Sequence, residues 1–165
     1  MLRQGLLDGR TVLAAVPPNG AGAAAVSECE RLGANVVAEP SAELDAVLIE
    51  PVPFTDDPDA ALVAVLGAVW DVVHAAANAS LIPQERGKIV LVGPRPDGVH
   101  AQALRDGLEN MARTLSIEWA RYGILPTMVA PGAQTGDDEV ATVVAYLVSH
   151  AGDYYSGCRF ELGSV

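Results

Sequence analysis

The sequence predicts an α/β domain in which helices cover both faces of a parallel β-sheet. Short β-branched apolar runs alternate with longer segments of helical periodicity along all 165 residues, and this order is typical of parallel sheets. Half of the residues are apolar and only 5% are aromatic, which favours close packing of small-residue helices against the sheet. A chain of this length forms one domain, residues 1–165, with a core that needs no disulfide or metal.

The first three strands are predicted at residues 11–16, 35–38 and 46–49. A turn beginning at Pro17-Pro18 ends the first strand, and a helical segment stopped by Gly33 leads to the second. The connection from the second to the third strand is too short for a parallel crossover. These two strands therefore need not be neighbours, and their order in the sheet stays open at this point.

The helix predicted over residues 57–81 is apolar almost all round. Such a helix is covered on both sides, here by the sheet and by a neighbouring helix from this chain or from a partner. No run of the chain approaches the roughly 20 apolar residues of a membrane span, and the N-terminus lacks the apolar core of a signal peptide. We therefore expect a cytoplasmic protein.

The second half predicts three further strands, at residues 88–92, 125–130 and 158–162. Between the first two of these, apolar residues recur at helical spacing from Leu104 to Tyr122, and Gly123 ends that helix. A last helix begins with Asp137-Asp138-Glu139, whose charges suit a helix N-terminus, and runs to Val148. The chain therefore predicts about six strands, with helices between most of them.

Charge and cysteine content exclude several classes of partner. The formal net charge is −11, so nucleic acid and anionic membrane surfaces would be repelled. Cys29 and Cys158 lie far apart without a metal-ligand spacing, and we expect two buried thiols and no metal.

Three blocks of the sequence resemble the short-chain dehydrogenase/reductase (SDR) family. They are RTVLAAVPPNGAGAAAVSECERLGANVVAE, the block from Gly87 to Gly132, and EVATVVAYLVSHAGDYYSGCRFELG. The resemblance implies a shortened three-layer, Rossmann-like sheet. One edge strand is missing between Glu39 and Asp45, and the substrate lid is missing after Gly132. The chain is thus identified as a truncated and degenerate member of the family.

The resemblance also implies a damaged cofactor site. Where the family has Thr-Gly-x-x-x-Gly-x-Gly, this chain has Ala-Val-Pro-Pro-Asn-Gly-Ala-Gly, which keeps Gly20 and Gly22 but loses N–H donors at its two prolines. Glu39 stands where NAD-preferring members place an acid, and Glu50 would put a negative charge close to a cofactor. We expect no cofactor: Gly20 and Gly22 are better explained by close helix–strand packing, and Glu39 by a solvated strand end.

All four catalytic positions of the family are changed as well. Val65 and Pro94 stand at or near the Asn and Ser positions, and Ala101 and Arg105 at those of Tyr and Lys. Ala101 has no titratable group and cannot act as an acid. Halohydrin dehalogenases use this fold with Ser, Tyr and Arg, but this chain lacks their Ser and Tyr. We expect Arg105 to be an exposed helical residue that hydrogen-bonds locally.

The three histidines have no sequence context that marks a site. His74 lies on the apolar helix, His100 precedes Ala101, and His150 follows the last helix, where a cation is favourable. A structural role is favoured for each, least strongly for His100.

These observations predict a non-catalytic subunit, a pseudoenzyme that assembles with itself or with an active full-length SDR dehydrogenase. The surfaces expected to take part are the helices at 59–82 and 101–122 and the helix and strand at 138–163. Three alternatives stay open: a dehydrogenase whose missing acid comes from a partner, a cofactor-free catalyst using His100, Arg105 or Glu50, and a small-molecule binding module.

Overall fold

Six parallel strands form one continuous sheet. A computed structural model describes residues 2–52 and 58–163, and the side chains of all of these except residues 58–61. The strands are β1 (Thr11–Ala15), β2 (Asn35–Val37), β3 (Ala46–Ile49), β4 (Gly87–Val92), β5 (Ile124–Pro131) and β6 (Cys158–Leu162). They lie in the order β2-β1-β3-β4-β5-β6. The predicted parallel α/β sheet is confirmed, and each predicted strand agrees with the structure to within one residue at either end.

The strand order that the sequence left open is settled by β1, which lies between β2 and β3. Val12 pairs with Val36 on one side and with Ala46 on the other. The short return from β2 to β3 is held by Ser80, whose hydroxyl accepts the N–H of Leu44 at 2.9 Å. The chain adds β2 on one side of β1 and all later strands on the other, so the strand order reverses at β1. Ligands of open α/β sheets bind at the carboxyl ends of the strands that flank such a point.

Helices cover both faces of the sheet. They are α1 (Ala21–Arg31), α2 (Pro58–Ala76), α3 (Ile82–Gln84), α4 (Ala101–Glu118) and α5 (Asp137–Val148), with a π-helical turn at Ala77–Leu81 and 3₁₀ turns at Ala120–Tyr122 and His150–Tyr154. The core cluster on one face includes residues of α1 and α5, and that on the other face includes residues of α2 and α4. This arrangement gives the three layers that the resemblance implies.

One face of α2 packs on the core and the opposite face is open in the single chain. Val65, Val69 and Val73 are buried, whereas Val63 is 75% and Trp70 40% exposed. The expectation that no run approaches a membrane span is wrong for Leu62–Gln84, which has 23 residues and a mean hydropathy of 1.6. Length and apolar composition alone do not distinguish a membrane span from a core helix of a soluble protein.

Candidate functional site

The candidate site is a cleft at the carboxyl ends of β1 and β3, where the sheet order reverses. Its volume is about 280 Å³, and it is lined by Ala15, Val16, Ile49, Glu50, Pro51, Val52, Val65, Ala68, Val69 and Val72. Glu50 is the only titratable residue among the described residues that line it. The cleft is therefore an apolar space with one carboxyl group at its edge.

That carboxyl group lies against the amino-terminal end of α1. The backbone N–H of Gly22 donates to Oε2 of Glu50 at 2.7 Å. A Cβ atom on Gly22 would lie 2.5 Å from the same oxygen and 2.8 Å from Cβ of Val16. Gly20 has a φ of 90°, and a Cβ there would be 3.9 Å from both carboxylate oxygens. Both glycines thus face Glu50, and Gly22 admits its close approach.

Burial and neighbouring charges act on Glu50 in opposite directions. Burial raises the pKa of the half-buried carboxyl above its usual value of 4.5, and the Asp137 carboxylate acts in the same sense, while the Gly22 hydrogen bond and the Arg95 guanidinium partly offset them. Ionised Glu50 is stabilised by the unpaired N–H groups and positive dipole end of α1. The N-terminus of α1 therefore already has an anionic hydrogen-bond acceptor from the same chain.

Arg95 ties two loops together beside this contact, a role that the sequence did not suggest. Its Nη1 donates to the carbonyl oxygens of Gly132 at 3.1 Å and Thr135 at 2.5 Å, and its Nη2 donates to Asp137 at 2.6 Å. The hydroxyl of Thr135 in turn accepts the N–H of Gly132 and donates to the carbonyl of Leu162. This network links the loops that follow β4 and β5 at the carboxyl edge of the sheet.

Three of the four positions that the sequence resemblance aligned with catalytic residues carry no proton-transfer group. Val65 is buried and lines the cleft. Pro94 follows Gly93, whose N–H donates to the carbonyl of Val129 at 2.8 Å and so extends the β4–β5 ladder. Ala101 is the first residue of α4 and is 4% exposed. These side chains can pack but cannot move a proton.

Arg105 is buried, and the expectation of an exposed, locally bonded arginine is wrong. The residue is 3% exposed, and its Nη2 donates to the carbonyl of Pro131 at 2.7 Å and lies 3.4 Å from Oε1 of Glu161. Its Nε has no hydrogen-bond partner among the described residues. Arg105 lies four residues after Ala101, so both face the sheet on one side of α4. That spacing was the signal that the sequence offered.

The other candidates lie away from the cleft. Glu39 is exposed beyond the end of β2, the ring of His74 lies 5.3 Å from that of Trp70, and His100 precedes α4 with a φ of 60°. Among the described residues no group of three or more His, Cys, Asp or Glu side chains could hold a metal ion. Cys29 is buried as expected, whereas Cys158 is partly exposed and not a buried thiol.

Two solved structures with the same architecture are dehydrogenases. The citronellol catabolism dehydrogenase AtuB from Pseudomonas aeruginosa PAO1 is 21% identical, with a TM-score of 0.78 over 98% of this chain and 96% of that chain. A gluconate 5-dehydrogenase from Burkholderia cenocepacia J2315, in complex with NADP and tartrate, is 17% identical, with a TM-score of 0.72 over 96% of this chain and 95% of that one. No protein-family model and no curated protein matches the sequence. The chain therefore has the fold of SDR dehydrogenases, an oxidoreductase-like Rossmann fold.

Proposed function

We propose that this chain is a non-catalytic subunit of the SDR fold that binds no dinucleotide and assembles with itself or with an active SDR dehydrogenase. The observation that carries the proposal is the hydrogen bond from Gly22 to Glu50. In the Rossmann fold, the backbone N–H groups at this helix N-terminus hold the pyrophosphate of the cofactor. Here a carboxylate of the chain itself accepts one of those N–H groups.

Electrostatics and missing donors both disfavour a dinucleotide at this end of α1. A pyrophosphate placed there would meet the Glu50 carboxylate at close range, and two like charges in a partly buried site repel strongly. Pro17 and Pro18 offer no N–H groups from the preceding turn. The gluconate 5-dehydrogenase structure contains NADP, but this chain differs from the family's cradle motif at the points that make such binding possible.

The positions aligned with the family's catalytic residues also offer no group for the chemical step. Proton transfer to a substrate oxygen needs a titratable side chain within hydrogen-bond reach. Val65, Pro94 and Ala101 supply none, and the guanidinium of Arg105 offers N–H donors but no acceptor for a proton. Arg105 is moreover bonded to the Pro131 carbonyl. These substitutions support a subunit whose role is not catalysis.

The exposed apolar surface of α2 and α4 supports an assembly role. We call this surface the docking face and define it by Val63, Trp70 and Ile117, which are 75%, 40% and 78% exposed. The indole rings of Trp70 and Trp119 stack 6.3 Å apart and join the two helices. Exposed apolar patches of this kind mark protein interfaces. By resemblance, SDR subunits pack through these two helices, and the segment 138–163 would form a second contact.

Native mass spectrometry tests the assembly. We expect an oligomer when the chain is expressed alone or together with a full-length SDR dehydrogenase encoded beside it. Ile117→Glu places a charge on the docking face and is expected to release monomers, because an unpaired charge at the core of an interface is costly. Val99→Glu is the matched control, since Val99 is 82% exposed but outside the docking face. A monomer in both expressions would overturn the proposal.

A further inference from the structure

A second cavity lies at the amino-terminal edge of the sheet, at the opposite end from Glu50. We call it the basal cavity; its volume is about 280 Å³, and it is lined by Arg10, Asp45, Arg86, Gly87, Lys88, Gly123, Leu125, His150 and Asp153. The lining holds three of the ten Lys and Arg residues of the chain but only two of its 21 Asp and Glu residues. The lining therefore carries a net positive charge on a protein whose net charge is −11.

One of the three cations, Lys88, uses all of its hydrogen-bond donors in contacts within the protein. Its Nζ lies 2.6 Å from Oδ1 of Asp153 and donates to the carbonyls of Leu147 at 3.0 Å and of Ser149. These contacts use its three donors and bind the carboxyl-terminal end of α5, where a cation is favourable. Burial lowers the pKa of Lys88, and the hydrogen bond and charge of Asp153 act against that shift. Lys88 therefore neutralises Asp153 and forms a wall of the cavity.

The guanidinium groups of Arg10 and Arg86 are less fully engaged. Nη1 of Arg10 lies 3.3 Å from Oδ1 of Asp45, while the other oxygen of Asp45 accepts the N–H of Thr11 at 2.9 Å. Nη2 of Arg86 lies 4.0 Å from the same Oδ1 and donates to Gln84 at 3.2 Å; the Arg86 side chain is 63% exposed. A guanidinium has five N–H donors, more than these contacts use. Two forked donor groups thus line one cavity.

The ring of His150 lies between Arg10 and Asp153. Its Nδ1 lies 2.9 Å from Nη2 of Arg10 and 3.2 Å from Oδ2 of Asp153. Without a proton, this nitrogen accepts from Arg10; with a proton, it can only donate, and its partner is then Asp153. The two contacts therefore exclude each other. A proton on Nδ1 leaves Asp153 as its partner, and Nη2 of Arg10 is then available to another acceptor.

We propose that the basal cavity binds a small tetrahedral oxyanion, a sulfate or phosphate group, through Arg10 and Arg86, and that protonation of His150 strengthens this binding. Arginine forks match the oxygen spacing of such anions. The two carboxylates that face the cavity are already compensated, Asp45 by Arg10 and the Thr11 N–H and Asp153 by Lys88. The anion adds to this network and leaves the Lys88 contacts unchanged.

Sulfate titration of the ¹⁵N-labelled full chain, followed by amide chemical shifts at constant ionic strength, tests the site. We expect saturable shifts at Thr11, Gly87 and Gly123. Arg86→Gln should weaken binding by about tenfold, the order expected for one charge-assisted contact. Arg113→Gln is the matched control, because Arg113 is 66% exposed and lies on α4 beside Glu109. Unchanged affinity in Arg86→Gln, or shifts that never saturate, would overturn the proposal.

Two further arms separate the role of His150 and the source of the anion. Sulfate keeps its charge over the range in which histidine titrates, so tighter binding near pH 5.5 than near pH 8 reports on the protein. His150→Gln should bind sulfate and lose that pH dependence; a variant that keeps it would refute the role of His150. Tighter binding of glycerol 3-phosphate than of inorganic phosphate would identify an organic phosphate as the ligand, and the reverse order a free ion.

Discussion

Oε2 of Glu50 lies 2.7 Å from the backbone nitrogen of Gly22, at the first turn of α1. The first N–H groups of a helix lack intrahelical partners and carry the positive end of its dipole, so they attract anions. In dinucleotide-binding Rossmann folds, that anion is the cofactor's pyrophosphate. In this chain, the carboxylate of Glu50, the residue directly after β3, takes the place of that anion.

Gly22→Ala should destabilise the protein by about 1–3 kcal/mol, the usual cost of forcing atoms into a packed site. The added Cβ would lie 2.5 Å from Glu50 and 2.8 Å from Val16, so the first turn of α1 must shift. Gly98→Ala is the control, because a Cβ at Gly98 would meet only Ala101, at an ordinary 3.6 Å. That control should change the free energy of unfolding by less than about 0.5 kcal/mol. Equal effects in chemical denaturation would contradict the contact.

Glu50→Gln should stabilise the protein at neutral pH while keeping an oxygen for Gly22. The pKa of folded Glu50 is raised above 4.5, chiefly by burial, so the folded state binds the proton more tightly than the unfolded state. The contribution of this carboxyl to the free energy of unfolding is therefore fully present below pH 4.5 and is lost as the pH rises through the pKa of the folded state. In denaturant titrations, the free energy of unfolding of Glu50→Gln should exceed that of wild type by an amount that grows as the pH rises from 4.5 through the pKa of folded Glu50.

Glu39→Gln is the control for that titration. Glu39 is exposed at the end of β2, and its replacement should change the free energy of unfolding by less than about 0.5 kcal/mol. A pH profile of Glu50→Gln that runs parallel to that of wild type would refute the burial of the Glu50 charge.

Arg105→Met should leave the free energy of unfolding within about 1 kcal/mol of wild type, because replacing a buried charge by an apolar side chain of similar volume is often neutral. The substitution removes the buried Nε that has no partner among the described residues, although it also leaves the Pro131 carbonyl without its donor. Arg105→Ala should cost about 2–4 kcal/mol, since it also opens a cavity. Similar losses in both variants would show that the charge itself is needed.

The two cysteines should differ sharply in alkylation by iodoacetamide. Cys29 is fully buried, and burial, helped by the charges of Glu28 and Glu30, raises the pKa of its thiol to about 12. The thiolate is the reactive species, so Cys29 should react only after unfolding, whereas partly exposed Cys158 should react in the native protein. Mass spectrometry of the native, alkylated chain locates the label, and Cys158→Ser should abolish it. Labelling of native Cys29 would contradict its burial.

Local patterns predicted the elements of the fold well, because each strand is a short apolar run ended by glycine, proline or a polar residue. The place of β2 could not be predicted, since the pairing of Val12 with both Val36 and Ala46 depends on the path of the return segment. Burial was harder still. Arg105 reads as a surface residue by type, and only its register with Ala101 points inwards.

The charged contacts were predictable only in part. The sequence flagged Glu50 as a charge beside the cleft but not its partner, because Gly22 precedes it by 28 residues. Most residues of the basal cavity precede or begin parallel strands, which places them at one edge of the sheet. That signal was available for Arg10, Asp45 and Lys88. The sharing of the His150 ring between Arg10 and Asp153 needs side-chain geometry that no sequence pattern encodes.

Titration of the purified chain with NADH and NADPH, followed by calorimetry and by amide chemical shifts, tests the central claim most directly. With the Glu50 carboxylate at the N-terminus of α1, we predict no saturable binding at micromolar concentrations and no shift changes at Gly20 or Gly22, while a complete SDR dehydrogenase in the same buffer binds. Shifts confined to the basal cavity would report its phosphate contact and leave the claim standing. Saturable micromolar binding with shifts at Gly20 and Gly22 would contradict it.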